Sequence, residues 1–275
     1  MRLKDARYFQ IAVLGSLLCY GFFFLGLDLT SQHILTTLTT TLCSQYIFDR
    51  YYLGQKFEYK SGLITGLSLS LLLRSNFFYF SALAAFLAIG SKFIIRVNGK
   101  HVFNPANFGI ITLALLCEEA WLSPAQWGST TLLAFYLICC GMLVTTKAAR
   151  IDLCLVFFAS YAGLLFQRAL YLGDPLSIPL HQLQSGALLI FSCFMITDPR
   201  VTPDARLPRL LFGVAVALLA YYLRFKLYWN NTPLYALYFL SPLVPILDVL
   251  FKADRFEWLK ESISQKNMKL IKETT

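Results

Sequence analysis

The chain has 275 residues, 57% of them apolar, 16% aromatic and 14% charged, with a formal net charge of +9. A soluble domain carries roughly a quarter of charged residues, and here a mean hydropathy of +0.59 accompanies apolar runs along the whole length. The composition excludes a water-soluble enzyme and predicts a single polytopic membrane domain, and basic loops at a membrane surface account for the charge without any nucleic acid.

A helix needs about 20 residues to cross about 30 Å of hydrocarbon. In chain order, apolar segments fall at residues 9–27, 34–48, 61–73, 77–95, 106–116, 128–146, 151–170, 183–197, 210–228 and 234–251. They predict an all-α fold with about ten transmembrane helices. The shorter segments must tilt, thin the bilayer, or be half-helices shielded by their neighbours, because lipid cannot satisfy a broken backbone. The basic start followed by a Phe-rich run lacks a small-residue cleavage pattern, so the first segment reads as a retained span.

With ten crossings, 20 of the 24 Lys and Arg residues gather on one side, and only Arg74, Arg168, Arg224 and Lys226 fall on the other. This asymmetry predicts cytoplasmic N- and C-termini. The membrane domain is expected over residues 1–252, followed by a basic cytoplasmic tail at 253–275. Seven cysteines lie almost entirely within apolar runs without a C-x-x-C pair, and His33, His101 and His181 are scattered. Buried inert thiols are expected, with no disulfide framework and no metal site.

"SGLITGLSLSLLLR" (61–74) and "SGALLIFSCFMITD" (185–198) both run from Ser-Gly through apolar residues to a charge, at an offset of 124. A small further shift relates Asn104-Pro105 to Thr232-Pro233. An offset of five helices predicts two inverted halves, about 1–120 and 121–252, with a site near their junction. The competing reading is that Ser-Gly only eases helix packing.

"GKHVFNPANFGI" (99–110) interrupts the apolar pattern. Asn104 suits an N-cap and Pro105 the first helical position. The helix start would direct its free amides at an anionic or electron-rich group, with Lys92, Arg96 and Lys100 available to neutralise a phosphate. The plain alternative is a capped helix after positive-inside charges. In "MITDPRVTPDARLPR" (195–209), Asp198 is either a helix stop or a ligand-facing carboxylate. Asp248 reads as structural, with Lys252 as an i,i+4 partner.

Together, "GKHVFNPANFGI" and "HQLQSGALLIFSCFMITDPRVTP" resemble the "FNPA" and "H-L-L-S-G-G…A-T-D-P-V-T" signatures of one family. It joins the RnfD components of Rnf electron-transport complexes with the NqrB components of sodium-translocating NADH:quinone reductases. The resemblance implies a ten-helix, inverted-repeat protein of a bacterial inner membrane, working with other membrane or redox subunits to couple electron transport to ion movement. Members with covalent FMN attach it to the Thr of a Ser-Gly-Ala-Thr sequence. Here "SGAL" has Leu188 instead, and "WGSTT" (127–131) lacks the Ala, leaving Thr130 and Thr131 as outside candidates. Covalent FMN is therefore not expected, and a noncovalent flavin, FMN or riboflavin, is.

The expected cofactor site comprises Asn104, Pro105, Asn107 and Gly109 from the first half and Ser185, Gly186, Thr197 and Asp198 from the second. Lys92, Arg96 and Lys100 supply its charge. No catalytic acid–base pair is evident, so a soluble-type enzyme is not expected, and the resemblance implies a non-catalytic membrane component of an oxidoreductase-type ion pump. The alternatives are a small-solute channel or transporter on the same scaffold, and an assembly protein without chemistry.

Overall fold

The computed structural model describes residues 5–24, 29–123 and 131–256. Helices α1 (Ala6–Phe23), α2 (Ser31–Ile47), α3 (Tyr59–Leu72), α4 (Phe78–Ile94) and α5 (Pro105–Leu116) make up the first half. The second half holds α6 (Thr131–Lys147), α7 (Ile151–Leu172), α8 (Ser177–Leu183), α9 (Gly186–Ile190), α10 (Arg206–Lys226), α11 (Thr232–Leu240) and α12 (Val244–Leu250). Single π-helical turns extend α2 over Phe48–Tyr52 and α9 over Phe191–Met195.

Each of the ten apolar segments carries a helix, but not each helix is a full crossing. Four stretches are long and apolar enough to span a membrane: Ala6–Phe23, Ile151–Leu172, Arg206–Lys226 and Thr232–Leu250. Ser177–Leu183 with Gly186–Met195, bent by 54°, makes a fifth if the pair is one span. Phe78–Ile94, Pro105–Leu116 and Phe135–Thr146 are apolar but shorter. The 12 residues of α5 reach about 18 Å at 1.5 Å per residue, little more than half the hydrocarbon thickness. Among the described residues, length and composition thus support four or five crossings where the sequence predicts about ten. Residues 257–275 of the expected tail lie outside the described residues.

Local chemistry sets the helix ends. Asp5 caps α1 by accepting from the Arg7 amide, and Gly173 closes α7 in the left-handed region at φ 74°. Between α4 and α5 the chain turns through a two-stranded hairpin, β2 (Arg96–Val97) with β3 (Lys100–His101), over Asn98 and Gly99 at φ 51° and 78°. Positive φ at both central residues is what a tight hairpin turn demands. The remaining strands, β1 (Leu73–Ser75) and β4 (Ala120–Leu122), pair antiparallel where α3 and α5 end.

In the first half, α2 packs on α3 and α4, α4 on α5, and α1 on α3. In the second, α7 packs on α10, α10 on α11, and α6 on the α9 segment. The halves meet where α1 touches α6 and α5 touches α11. Large apolar side chains such as Phe135 (65% exposed) and Leu170 (70%) cover the outside. Such an exterior suits lipid, whereas in water it would be an aggregation surface. The thiols follow this division: Cys154 and Cys193 are buried as expected, but Cys19, Cys43 and Cys139 are exposed on outward helix faces, and all seven are free.

Close helix approach depends on small residues. A Cβ on Gly109 would collide with the Ala84 carbonyl oxygen and come within 2.8 Å of the Ala88 Cβ. Gly109→Ala is therefore expected to push α5 off α4 and cost about 1–3 kcal/mol, read as a lowered thermal midpoint in detergent.

At the base of α1, Asp5 pairs with Arg7 at 2.9 Å and with Lys60 at 2.9 Å, and Arg7 also pairs with Glu58 at 2.6 Å. Burial opposes the Asp5 charge, but the hydrogen bonds from Arg7 and Lys60 prevail and lower its pKa from 3.8 to about 2. A depressed carboxylate stabilises the fold above its unfolded pKa and loses that contribution as pH falls through the folded one. The thermal midpoint is accordingly expected to fall between about pH 4 and pH 2, and less steeply in Asp5→Asn.

Candidate functional site

The start of α5 follows from Asn104. Its Oδ1 accepts from the Asn107 amide at 3.1 Å, and Pro105 occupies the first turn, where no N–H is needed. The Asn104 Nδ2 donates to the Met195 carbonyl at 3.5 Å. One side chain thus starts a helix of the first half and ties it to the π-helical turn of the second.

A cavity of about 150 Å³ opens at this junction. It is lined by Asn104 and Pro105, by Lys92 and Arg96 from the end of α4 and the hairpin, and by Thr197 and Asp198 after the π-helical turn. Six of the eleven residues expected from the sequence therefore share one cavity wall, drawn from both halves.

The other five lie elsewhere. Asn107 is fully buried, and neither atom of its carboxamide has a hydrogen-bond partner among the described residues. Gly109 faces α4. Ser185 and Gly186 sit at the bend between α8 and α9. Lys100 turns away on the hairpin to Asp248 at 2.8 Å, the Thr202 carbonyl at 2.6 Å and Asp204 at 3.1 Å. Asp248, expected to pair with Lys252, takes this distant lysine and also accepts from the Asp204 amide at 2.9 Å. Leu188, which stands where the flavin-bearing Thr would be, is packed in the core, and of the outside candidates Thr130 lies outside the described residues and Thr131 opens α6.

The structure adds polar residues that sequence reasoning missed. Lys92 is 5% exposed, and its Nζ donates to the Gln45 Oε1 at 3.0 Å and the Ser61 Oγ at 2.7 Å. Gln45 in turn donates to Asp49 at 2.7 Å, and Asp49 accepts from the Glu58 amide at 2.9 Å. Asp49, Glu58, Ser61 and Arg7 all reach the cavity. The available signal was the recurrence of polar residues every four positions in α2, at His33, Thr37, Thr41, Gln45 and Asp49, which on a helix form one winding strip.

The cavity lining sets four cations, Arg7, Lys92, Arg96 and Arg200, against three carboxylates, Asp49, Glu58 and Asp198, a small positive excess that favours an anion. Lys92 and Arg96 form no ion pair with the described residues, and the Arg96 Nε is buried without a hydrogen-bond partner among them. Burial pushes the His101 imidazole well below its usual range, and Lys92, Arg200, Arg96 and Lys100 push it further, so this ring is neutral near pH 7. Burial also raises the Asp198 carboxyl, against the Arg200 backbone N–H, which it accepts at 3.0 Å, and the nearby cations. Cations without carboxylate partners beside a helix N-terminus suit a phosphate or a comparable anionic group.

The family model described as "NQR2, RnfD, RnfE family" matches residues 119–257, just over half of the chain. The match includes Ser185, Thr197 and Asp198 and leaves out the Asn104 block. No curated protein matches the chain.

Replacing a capping Asn by Ala costs about 1 kcal/mol, and Ser caps nearly as well. Asn104→Ala is expected to lower stability by about that amount and Asn104→Ser to restore most of it in thermal unfolding. Equal loss in both variants would show that the bond to Met195, not the cap, is what the side chain supplies.

Proposed function

The chain belongs to the NQR2, RnfD, RnfE family, and from this premise we propose that it is a membrane component of an electron-transport system that moves ions. Its counterpart in that family is the RnfD component of the Rnf complexes. We place it in the bacterial inner membrane with both termini cytoplasmic, beside redox proteins that supply and take its electrons.

The observation that carries the reading is the cavity where Asn104-Pro105 meets Thr197-Asp198. Lys92, Arg96 and the α5 amides would hold the phosphate of a noncovalent flavin, and the flavin when bound supplies one- or two-electron transfer. The protein's own part is positional. Lys92 is fixed by Gln45 and Ser61, and Asn104 fixes the helix start. Covalent attachment at Leu188 is ruled out chemically, because a hydrocarbon side chain offers no oxygen for a phosphodiester.

Two inverted five-helix halves remain our reading of the architecture. Its support is the repeated packing order, with α2 on α4 and α4 on α5 answered by α7 on α10 and α10 on α11. Prolines open both α5 and α11.

The test is an absorbance and fluorescence spectrum of detergent-purified protein before and after acid denaturation. Flavin released by acid is the expected result, and Lys92→Met should reduce the amount that copurifies. Flavin left on the chain would overturn the noncovalent assignment. A colourless protein would overturn the cofactor and favour a solute channel.

A further inference from the structure

A second cavity, of about 40 Å³, lies at the opposite end of α3 from the first. Its wall includes His33 and Thr37 of α2, Leu69 and Ser70 of α3, and Arg74 and Ser81. His33 Nδ1 is 3.0 Å from the Ser81 Oγ and 3.4 Å from the Ser75 Oγ, and the two hydroxyls are 3.2 Å apart. The Ser70 hydroxyl is buried, at 6% exposure, without a hydrogen-bond partner among the described residues.

The two cavities approach each other along α3. The first is lined by Ser61, Thr65 and Ser68, and the second begins at Leu69 and Ser70. Ser61, Thr65 and Leu69 follow one another at four-residue steps on one face of α3. A water needs roughly 10–15 Å³ of such space, so both cavities can hold water, and along α3 the layer between their linings is the step from Ser68 to Leu69. Across this layer α2 supplies Thr41, fully buried, between Thr37 in the second cavity and Gln45, which bonds Lys92 in the first.

We propose that this α2–α3 seam is a proton path joining the two cavities, from His33 and Ser70 at one end to Ser68 and the Lys92–Gln45–Asp49 group at the other. Packing decides the cargo. A Cβ on Gly66 would come within 2.6 Å of the Thr41 Oγ1 and 2.9 Å of a Leu38 methyl, so the middle of the seam is too tight for a hydrated ion. Arg74 beside His33 also repels metal cations, and the second cavity has no carboxylate among its described lining residues to hold one. A proton needs no such width, because it passes by exchange between hydrogen-bonded oxygens and nitrogens. Intramembrane titratable residues facing a bundle interior mark such relays.

Each passage moves one proton and no electrons. His33 takes H⁺ from water at its mouth on a ring nitrogen and returns to neutral as it hands the proton to the seam. The proton leaves to water in the first cavity, and each hydroxyl recovers its own proton on reorientation. At the other end the charged groups lining the first cavity are Arg7, Lys92, Arg96, Arg200, Asp49, Glu58 and Asp198.

The inference rests on the proposed function only in taking the chain to cross the membrane and move ions. Its test is voltage-driven acidification of liposomes containing the purified protein and an internal pH dye. Wild type is expected to acidify the interior faster than protein-free vesicles, and Ser70→Ala and His33→Phe to slow it about tenfold. Leu69→Ser adds a hydroxyl to the dry layer and is expected to raise proton flux severalfold, a gain that misfolding cannot mimic. Sodium and chloride fluxes should stay at the protein-free rate in all four proteins. Wild type and Leu69→Ser both at the protein-free rate would overturn the proposal, as would sodium or chloride flux rising with the proton flux. A colourless protein with this proton flux would refute the flavin and spare the path, and a flavoprotein without it would do the reverse.

Discussion

Lys92 carries its ammonium in the last turn of α4 at 5% exposure, and a charge held there needs oxygen atoms brought to it from other helices. Gln45 of α2 and Ser61 of α3 supply them, and Gln45 is itself oriented by Asp49. Removing a buried charge from water without such partners costs several kcal/mol. The packing of α2, α3 and α4 is therefore fixed at one end by a polar requirement. The same lysine then faces the cavity where the halves meet, so this packing also sets the charge of the site.

The short helices follow from a related constraint. Backbone groups that end within the thickness of a membrane must find partners inside the protein. The α5 start does so through Asn104, whose carboxamide reaches an amide of its own helix and a carbonyl of the other half. The hairpin before α5 finds its anchor in Lys100, bonded to Thr202, Asp204 and Asp248. Both interruptions of the apolar pattern are joints between the halves, and the cavity lies beside them.

Polar residues inside the bundle line up along the contact of α2 with α3. The α2 strip of His33, Thr37, Thr41, Gln45 and Asp49 faces inward, with hydroxyls of α3 opposite. Many of these hydroxyls also bond carbonyls one turn back, as Thr37 does to His33 and Thr41 to Thr37. Such back-bonding hides a hydroxyl from lipid and lets it sit at a tight helix contact. One seam thus satisfies the packing of α2 on α3 and leaves hydrogen-bonding groups along its length.

The sequence by itself determined the membrane class, the position of a helix in every apolar segment, the cap at Asn104 and the family. Each rests on local chemistry: apolar run length, a capping side chain before a proline, and motif order. It placed Lys92, Arg96, Asn104, Pro105, Thr197 and Asp198 among the site residues because polar groups interrupting apolar runs stand out. Only the tertiary structure decided that these six share a cavity while Lys100 turns to Asp248 and Gly109 serves helix contact, since long side chains and close approaches depend on partners far along the chain. It also decided that α5 has 12 residues, because an apolar run does not record where the helix within it stops. The α2 strip was visible as a four-residue recurrence, but its inward direction was not. A Thr that bonds its own backbone is as compatible with lipid as with a protein interior.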